Sequence, residues 1–145
     1  MKVQDLLTKK GNEVFTVQPD DIICKAIELF NQKHIGSLLV KQADKVVGII
    51  TERDIIKKLY QADGNVKNVL IKDVMTPRDK LVSIAGDKEL EAAMDLMTNQ
   101  KVRHIPVLTD GKLQGIISIG DLVKALLYVA KAEKKILENY INTPY

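Results

Sequence analysis

Two short stretches place a hydroxyl and a carboxylate three residues apart at the mouth of a helix. One is Gly48 to Leu59, GIITERDIIKKL, and the other is Gly115 to Leu126, GIISIGDLVKAL. In each, an apolar run stops at Thr51 or Ser118, an aspartate follows at Asp54 or Asp121, and a helical pattern begins. A hydroxyl that precedes a helix accepts from one of its unpaired amides, and an acid three residues on reaches back to the amide of the cap residue. Capping alone therefore accounts for the pair. A second possibility starts from reach: Asp is shorter than the Glu or Gln that usually closes such a box, which leaves its carboxylate freer to meet a ligand. Both readings stand at the level of the sequence.

Other chemistry finds little support. The single Cys24 and the two histidines, His34 and His104, have no zinc-ligand spacing. There is no phosphate loop of the G-x-x-x-x-G-K type and no pairing of a nucleophile with a base, so an enzyme is not expected, and neither is a catalytic cofactor. With 22 basic and 19 acidic residues the net charge of +3 is mild, and the basic residues form no block, so nucleic acid is not implied. No apolar run approaches the ~18 residues of a membrane span, which excludes membrane insertion by a helix. One cysteine permits no intramolecular disulfide, and no N-terminal charged-then-apolar signal is present; a cytoplasmic location is the expectation. A chain of 145 residues, 46% hydrophobic and 28% charged, can build a solid core without staples.

The elements that must position the two hydroxyl–carboxylate pairs come from an internal repeat. A shift of 67 residues lays 16–59 over 83–126 without a gap. The identities include Asp20/Asp87, Ala26/Ala93, Leu29/Leu96, Val40/Val107, Gly48/Gly115, Ile49/Ile116, Ile50/Ile117 and Asp54/Asp121. Upstream, VQDLLT (3–8) matches IKDVMT (71–76) at a shift of 68. PDDIICKAIELFNQ and GDKELEAAMDLMTNQ read as helices, with Asp20 and Asp87 as expected caps. Ile23, Ala26, Ile27 and Phe30, and Leu90, Ala93, Met94 and Met97, are the expected core faces. Two short strands follow in each repeat, the second pair joined by the hairpin signal Asp110-Gly111. Each repeat is then strand, helix, strand, strand, helix, and two such units packed sheet to sheet would bury what each leaves exposed.

These residues carry a resemblance. Two copies of β-α-β-β-α, with the strand entry FTVQPDD, the strand patterns IGSLLV and VRHIPV, and the junctions GIITERD and GIISIGD, resemble a tandem pair of CBS domains, the module named after cystathionine β-synthase. The resemblance spans about Val3 to Leu127. It implies an α/β (α+β-like) pseudo-twofold pair with two clefts between the repeats, sites in that family for AMP, ADP, ATP, NAD(H) or S-adenosylmethionine. An ionised carboxylate can accept from both hydroxyls of a ribose, and a helix start suits a phosphate, which fits Asp54 and Asp121 to the sugar and Thr51 and Ser118 to the anion.

As the family resemblance implies, the first cleft draws Ile49, Thr51, Arg53 and Asp54 from one repeat and Val82, Val102, Arg103 and His104 from the other. The second draws Ile116, Ser118 and Asp121 together with Thr16, Val17, Ile35, Gly36 and Ser37. Arg53, Arg103 and His104 give the first cleft cations for a phosphorylated ligand, favouring AMP, ADP, ATP or NAD(H) over S-adenosylmethionine. The second, with Ile119-Gly120 and Gly36-Ser37 at the matching positions, is expected to lack cations and to bind more weakly.

The organisation read from the sequence is a first repeat over 1–66, a second over 67–130 and a helical extension and tail over 131–145. From Asp121 to about Asn139 the chain is helical throughout, with Leu122, Leu126, Val129, Ile136 and Tyr140 on a seam of roughly 3.5-residue period, interrupted at Glu133. That seam suits packing on a second copy, and homodimerisation is what the resemblance implies. The expectation is a standalone regulatory sensor of adenine nucleotides acting on a separate protein; the alternative is a ligand-free homodimeric scaffold in which the aspartates only cap helices.

Overall fold

The structure, a computed structural model, describes residues 1–11 and 14–144. The elements are α1 (Val3–Lys10), β1 (Thr16–Val17), α2 (Ile23–Lys33), β2 (Ser37–Gln42), β3 (Lys45–Thr51), α3 (Glu52–Gln61), β4 (Thr76–Pro77), α4 (Leu90–Gln100), β5 (His104–Thr109), β6 (Lys112–Ser118) and α5 (Ile119–Asn142). The expected order of strand, helix, strand, strand, helix is present in the first repeat, while in the second the opening strand shrinks to a single bridge at Ile84; the α+β class is as expected.

Packing cuts the chain at different places from the sequence repeat. One compact unit is Glu13–Leu81, here the central unit; the other, the composite unit, joins Met1–Asn12 to Val82–Tyr145. The segments matched at a shift of 68 have therefore changed places: 3–10 folds with the second repeat and 71–78 with the first. No break separates 131–142 from the second repeat, because α5 runs through as one helix; Tyr145, at the end of the expected tail, lies outside the described residues.

Within the central unit, β1 pairs parallel with β2, β2 antiparallel with β3, and β3 antiparallel with β4. The composite unit has the β5–β6 hairpin, and a parallel bridge from Ile84 to Val107 stands where β1 meets β2. Both hairpins shift register at the same place, after Val40 and after Val107. Among the described residues eight core positions correspond between the units, and the composite core adds Leu6, Leu7, Met97 and Ala125. Val17, Ile23, Ala26, Leu38, Val40, Ile50, Ile55 and Ile71 are buried in one, and Ile84, Leu90, Ala93, Ile105, Val107, Ile117, Leu122 and Val3 in the other. Alternation along the strands and a 3.6-residue helical stripe produce this set. Ile27 departs from the expected core face and is exposed, while Phe30 and Met94 are half-buried.

The helix starts also depart from expectation. Asp20 and Asp87 do not cap; the N-cap residues are Ile22 and Glu89, and neither side chain makes a cap bond. A main-chain carbonyl does the work instead. Ile23 N–H donates to Val69 O at 3.0 Å and Leu90 N–H to Met1 O at 3.3 Å, so a residue two positions before each exchanged segment satisfies the first helical amide in each unit. Ile71 N–H to Asp21 O (2.8 Å) and Val3 N–H to Lys88 O (2.8 Å) repeat the same docking. Asp20 instead pairs with Lys72 at 3.0 Å.

The hairpin turns differ in chemistry. Asp110 (φ 53°) and Gly111 (φ 75°) supply the left-handed backbone that a two-residue turn requires, as the sequence signals. The matching turn puts Ala43 at φ 54°, where its Cβ crowds the following carbonyl. Ala43→Gly is expected to stabilise the chain by about 0.5–1 kcal/mol, read as a higher denaturation midpoint in urea at unchanged slope.

Candidate functional site

In the central unit, β3 ends at Thr51 and α3 begins at Glu52. Thr51 is extended (φ −122°, ψ 165°), and its hydroxyl oxygen accepts from Asp54 N–H at 3.3 Å. The Asp54 carboxylate returns the contact: Oδ2 accepts from Thr51 N–H at 2.9 Å and from Thr51 Oγ1 at 3.1 Å. Glu52 N–H donates to Gly36 O at 3.1 Å, and Ser37 is paired with Thr51 across the β2–β3 ladder. The composite unit repeats this geometry. Asp121 N–H donates to Ser118 Oγ at 3.1 Å, Ser118 N–H to Asp121 Oδ2 at 2.9 Å, and Ile119 N–H to Arg103 O at 2.8 Å, with His104 paired with Ser118 across β5–β6.

Both capping boxes are thus complete. The shorter reach of Asp does not free its carboxylate, because the extended cap residue brings its amide within 2.9 Å of Oδ2. The first and third amides of α3 and of α5 are likewise taken, by a strand carbonyl and by the hydroxyl. What remains is Oδ1: among the described residues every bond to either carboxylate falls on Oδ2. One open anionic oxygen beside a second one is still an acceptor for a pair of ligand hydroxyls.

The two carboxylates differ electrostatically. Burial pushes the Asp54 carboxyl above its ordinary value, only partly offset by the amide and hydroxyl of Thr51. Burial also pushes Asp121 up, but the Lys10 ammonium and the Ser118 bonds more than offset it and leave the group below its ordinary value. Lys10 Nζ lies 2.7 Å from Asp121 Oδ2 and also donates to Ile116 O at 2.8 Å. The expectation that the second group of residues lacks cations is therefore wrong at Asp121. Sequence reasoning missed Lys10 because it stands far along the chain. A clue was available: Lys10 aligns with Arg78 in the matched segments, and Arg78 donates to Val46 O at 2.9 Å.

The remaining candidates divide by unit. Ile49, Thr51, Arg53, Asp54, Thr16, Val17, Ile35, Gly36 and Ser37 belong to the central unit, and Val82, Val102, Arg103, His104, Ile116, Ser118 and Asp121 to the composite unit. Ile49, Val17 and Ser37 are buried; Thr51, Ile35 and Gly36, and Val82, Val102, His104, Ile116 and Ser118, are half-buried; Thr16, Arg53 and Arg103 are exposed. Among the described residues neither the Arg53 nor the Arg103 side chain is engaged in an ion pair or hydrogen bond, which leaves both guanidinium groups available to an anion. No group of three metal-ligating side chains occurs among the described residues, and no helix there is long and apolar enough to cross a membrane.

The family model of the CBS domain matches the chain twice, over residues 3–61 and 71–128, the two stretches that hold the two boxes. The chain belongs to the CBS-domain family. A mitochondrial CBS domain-containing protein of Arabidopsis thaliana, CBSX3, is 31% identical over 150 residues, covering 99% of this chain and 73% of the plant protein. The solved CBS domain NE2398 superposes with a TM-score of 0.81 at 41% identity, covering 87% of this chain and 98% of that one. A CBSX2 structure solved in complex with AMP superposes with a TM-score of 0.71 at 28% identity, covering 89% of this chain and 98% of that one. In CBS terms, then, the chain is a pair, and each repeat brings a complete hydroxyl–carboxylate junction.

Proposed function

We propose that this CBS pair is a regulatory module for an adenine nucleotide, with Asp54 as the main acceptor for the ribose. The observation that carries the reading is the open Oδ1 of Asp54, a carboxylate that forms no ion pair among the described residues, the nearby Lys57 charge being the smallest of the effects on it. The AMP complex of CBSX2 supports the ligand class by similarity. On this proposal the phosphate is met by Arg53 and by Arg103 and His104 of the other repeat, as the family resemblance implies, alongside Ile49, Val82 and Val102. Ile116, Ser118 and Asp121, with Thr16, Val17, Ile35, Gly36 and Ser37, form the weaker second site. These cations favour AMP, ADP, ATP or NAD(H) over S-adenosylmethionine. Ligand binding then biases one arrangement of the module over another, by its difference in affinity for the two, and a separate regulated protein reads the result.

The same proposal includes a homodimer through α5. Leu122 is buried in the composite core, but further along the same seam Ile136 is 68% and Tyr140 83% exposed, an apolar stripe suited to a second copy. A scaffold without ligand is the second reading, favoured by the completeness of both capping boxes.

Calorimetric titration of the ligand-stripped chain with AMP, ATP, NADH and S-adenosylmethionine separates the two. Micromolar binding of a phosphorylated adenosine supports the sensor; no heat with any of the four leaves the scaffold. Arg103→Ala is expected to weaken AMP by roughly 10- to 150-fold, the equivalent of about 1.5–3 kcal/mol for a charge-assisted bond, and to leave adenosine unchanged.

A further inference from the structure

The two hydroxyl–carboxylate junctions share one capping geometry and differ in the cation beside them. In the composite unit Lys10 sits on the carboxylate; in the central unit its counterpart Arg78 does not. The difference follows from backbone path. Residues 76–77 run as β4, antiparallel to β3, with Thr76 opposite Ile49 and Pro77 opposite Gly48. Each further residue moves away from Thr51, so Arg78 reaches the carbonyl of Val46. The matched residues 8–9 stay within α1, where the rise is only about 1.5 Å per residue against about 3.3 Å in a strand. Lys10 thus remains beside Ile116, the counterpart of Ile49, and reaches both Ile116 O and Asp121.

Lys10 is held there by more than its own ion pair. Val3, Leu6 and Leu7 of α1 are buried in the composite core, and Lys9 lies 4.7 Å from the Tyr128 ring centroid. The ammonium and the Ser118 amide together occupy Asp121 Oδ2, and the positive charge cancels the carboxylate's attraction for hydroxyl donors. On Asp54 Oδ2 the second donor is only the Thr51 hydroxyl, which turns away by rotation about one bond.

We propose that Lys10 is the residue that makes the two carboxylates unequal, a built-in lock that keeps Asp121 from accepting a ribose diol while Asp54 stays open. The inference rests on the nucleotide reading above and adds to it the determinant of stoichiometry.

The test is calorimetric titration with AMP of the parent chain, Lys10→Met, Lys10→Arg, Asp54→Ala, and Asp54→Ala combined with Lys10→Met. The parent is expected to bind one AMP per chain tightly, Lys10→Met two, and Lys10→Arg one. The double variant is expected to regain at least about tenfold in affinity over Asp54→Ala alone, which corresponds to 1.4 kcal/mol. Lys10→Gln replaces Lys10→Met if the latter melts early. A parent that binds two AMP equally, or a Lys10→Met chain whose second site stays shut, overturns the lock and leaves the nucleotide reading standing. Weaker binding in the double variant than in Asp54→Ala makes Lys10 a ligand contact and overturns the lock as well. A parent that binds no AMP removes the nucleotide reading, and the lock with it.

Discussion

Asp54→Asn is expected to separate binding from folding: the variant melts no lower than the parent and loses roughly 10- to 150-fold in AMP affinity, for a charge-assisted bond of about 1.5–3 kcal/mol. The stability half of this follows from burial, which raises the Asp54 carboxyl above its ordinary value despite the bonds from Thr51. A raised carboxyl contributes stability that is full below its unfolded value and lost as pH rises through the folded one, so at neutral pH the ionised group is a net burden. Asparagine keeps a carbonyl oxygen for the Thr51 amide and sheds the charge. It cannot accept from both hydroxyls of a ribose as an anion does. Asp121→Asn has the opposite sign: its lowered carboxyl contributes stability above the unfolded value that is lost as pH falls through the folded one. That variant is expected to melt slightly lower at pH 7, because the pair with Lys10 is partly exposed, and to match the parent in acid. Melts by circular dichroism at both pH values check the pair; an Asp54→Asn chain several degrees less stable than the parent would contradict the account.

Gly48→Ala is expected to be the most damaging single methyl group in the chain. A Cβ there meets the main-chain oxygen of Thr76 at 2.5 Å and the sulfur of Met75 at 2.9 Å, and β4 has to move to admit it. The expected cost is about 2–3 kcal/mol, toward the upper end for overpacking. At Gly115 a Cβ meets Leu7 Cδ2 at 2.8 Å, the tip of a side chain that can turn. Gly115→Ala is expected to lose about 1 kcal/mol or less. Urea unfolding of the two variants distinguishes backbone from side-chain resistance; equal losses would contradict it.

Much of this was legible in the sequence. Gly48/Gly115, Ile50/Ile117 and Val40/Val107 announce the repeat, and the core pairs follow from it. Asp110-Gly111 states its turn outright. The helix starts were not legible, because Val69 O and Met1 O, distant carbonyls, replace the local caps expected at Asp20 and Asp87. The match of VQDLLT to IKDVMT was visible, but not that each segment folds with the other repeat, since docking of a short segment leaves no periodicity of its own. Ile27 carries the helical spacing of a core residue yet faces outward, a case in which pattern shows the type of face and not its neighbour. At the candidate site the hydroxyls and carboxylates were found, while Lys10 was missed, its partner Asp121 lying 111 residues away.

The most direct measurement compares AMP with 2′,3′-dideoxy-AMP on the parent chain and on Asp54→Ala. If the Asp54 carboxylate reads the ribose, removing both hydroxyls weakens binding to the parent by about tenfold or more, and has little effect once Asp54 is gone. Equal affinity of the parent for the two nucleotides would contradict the account and reduce both aspartates to helix caps.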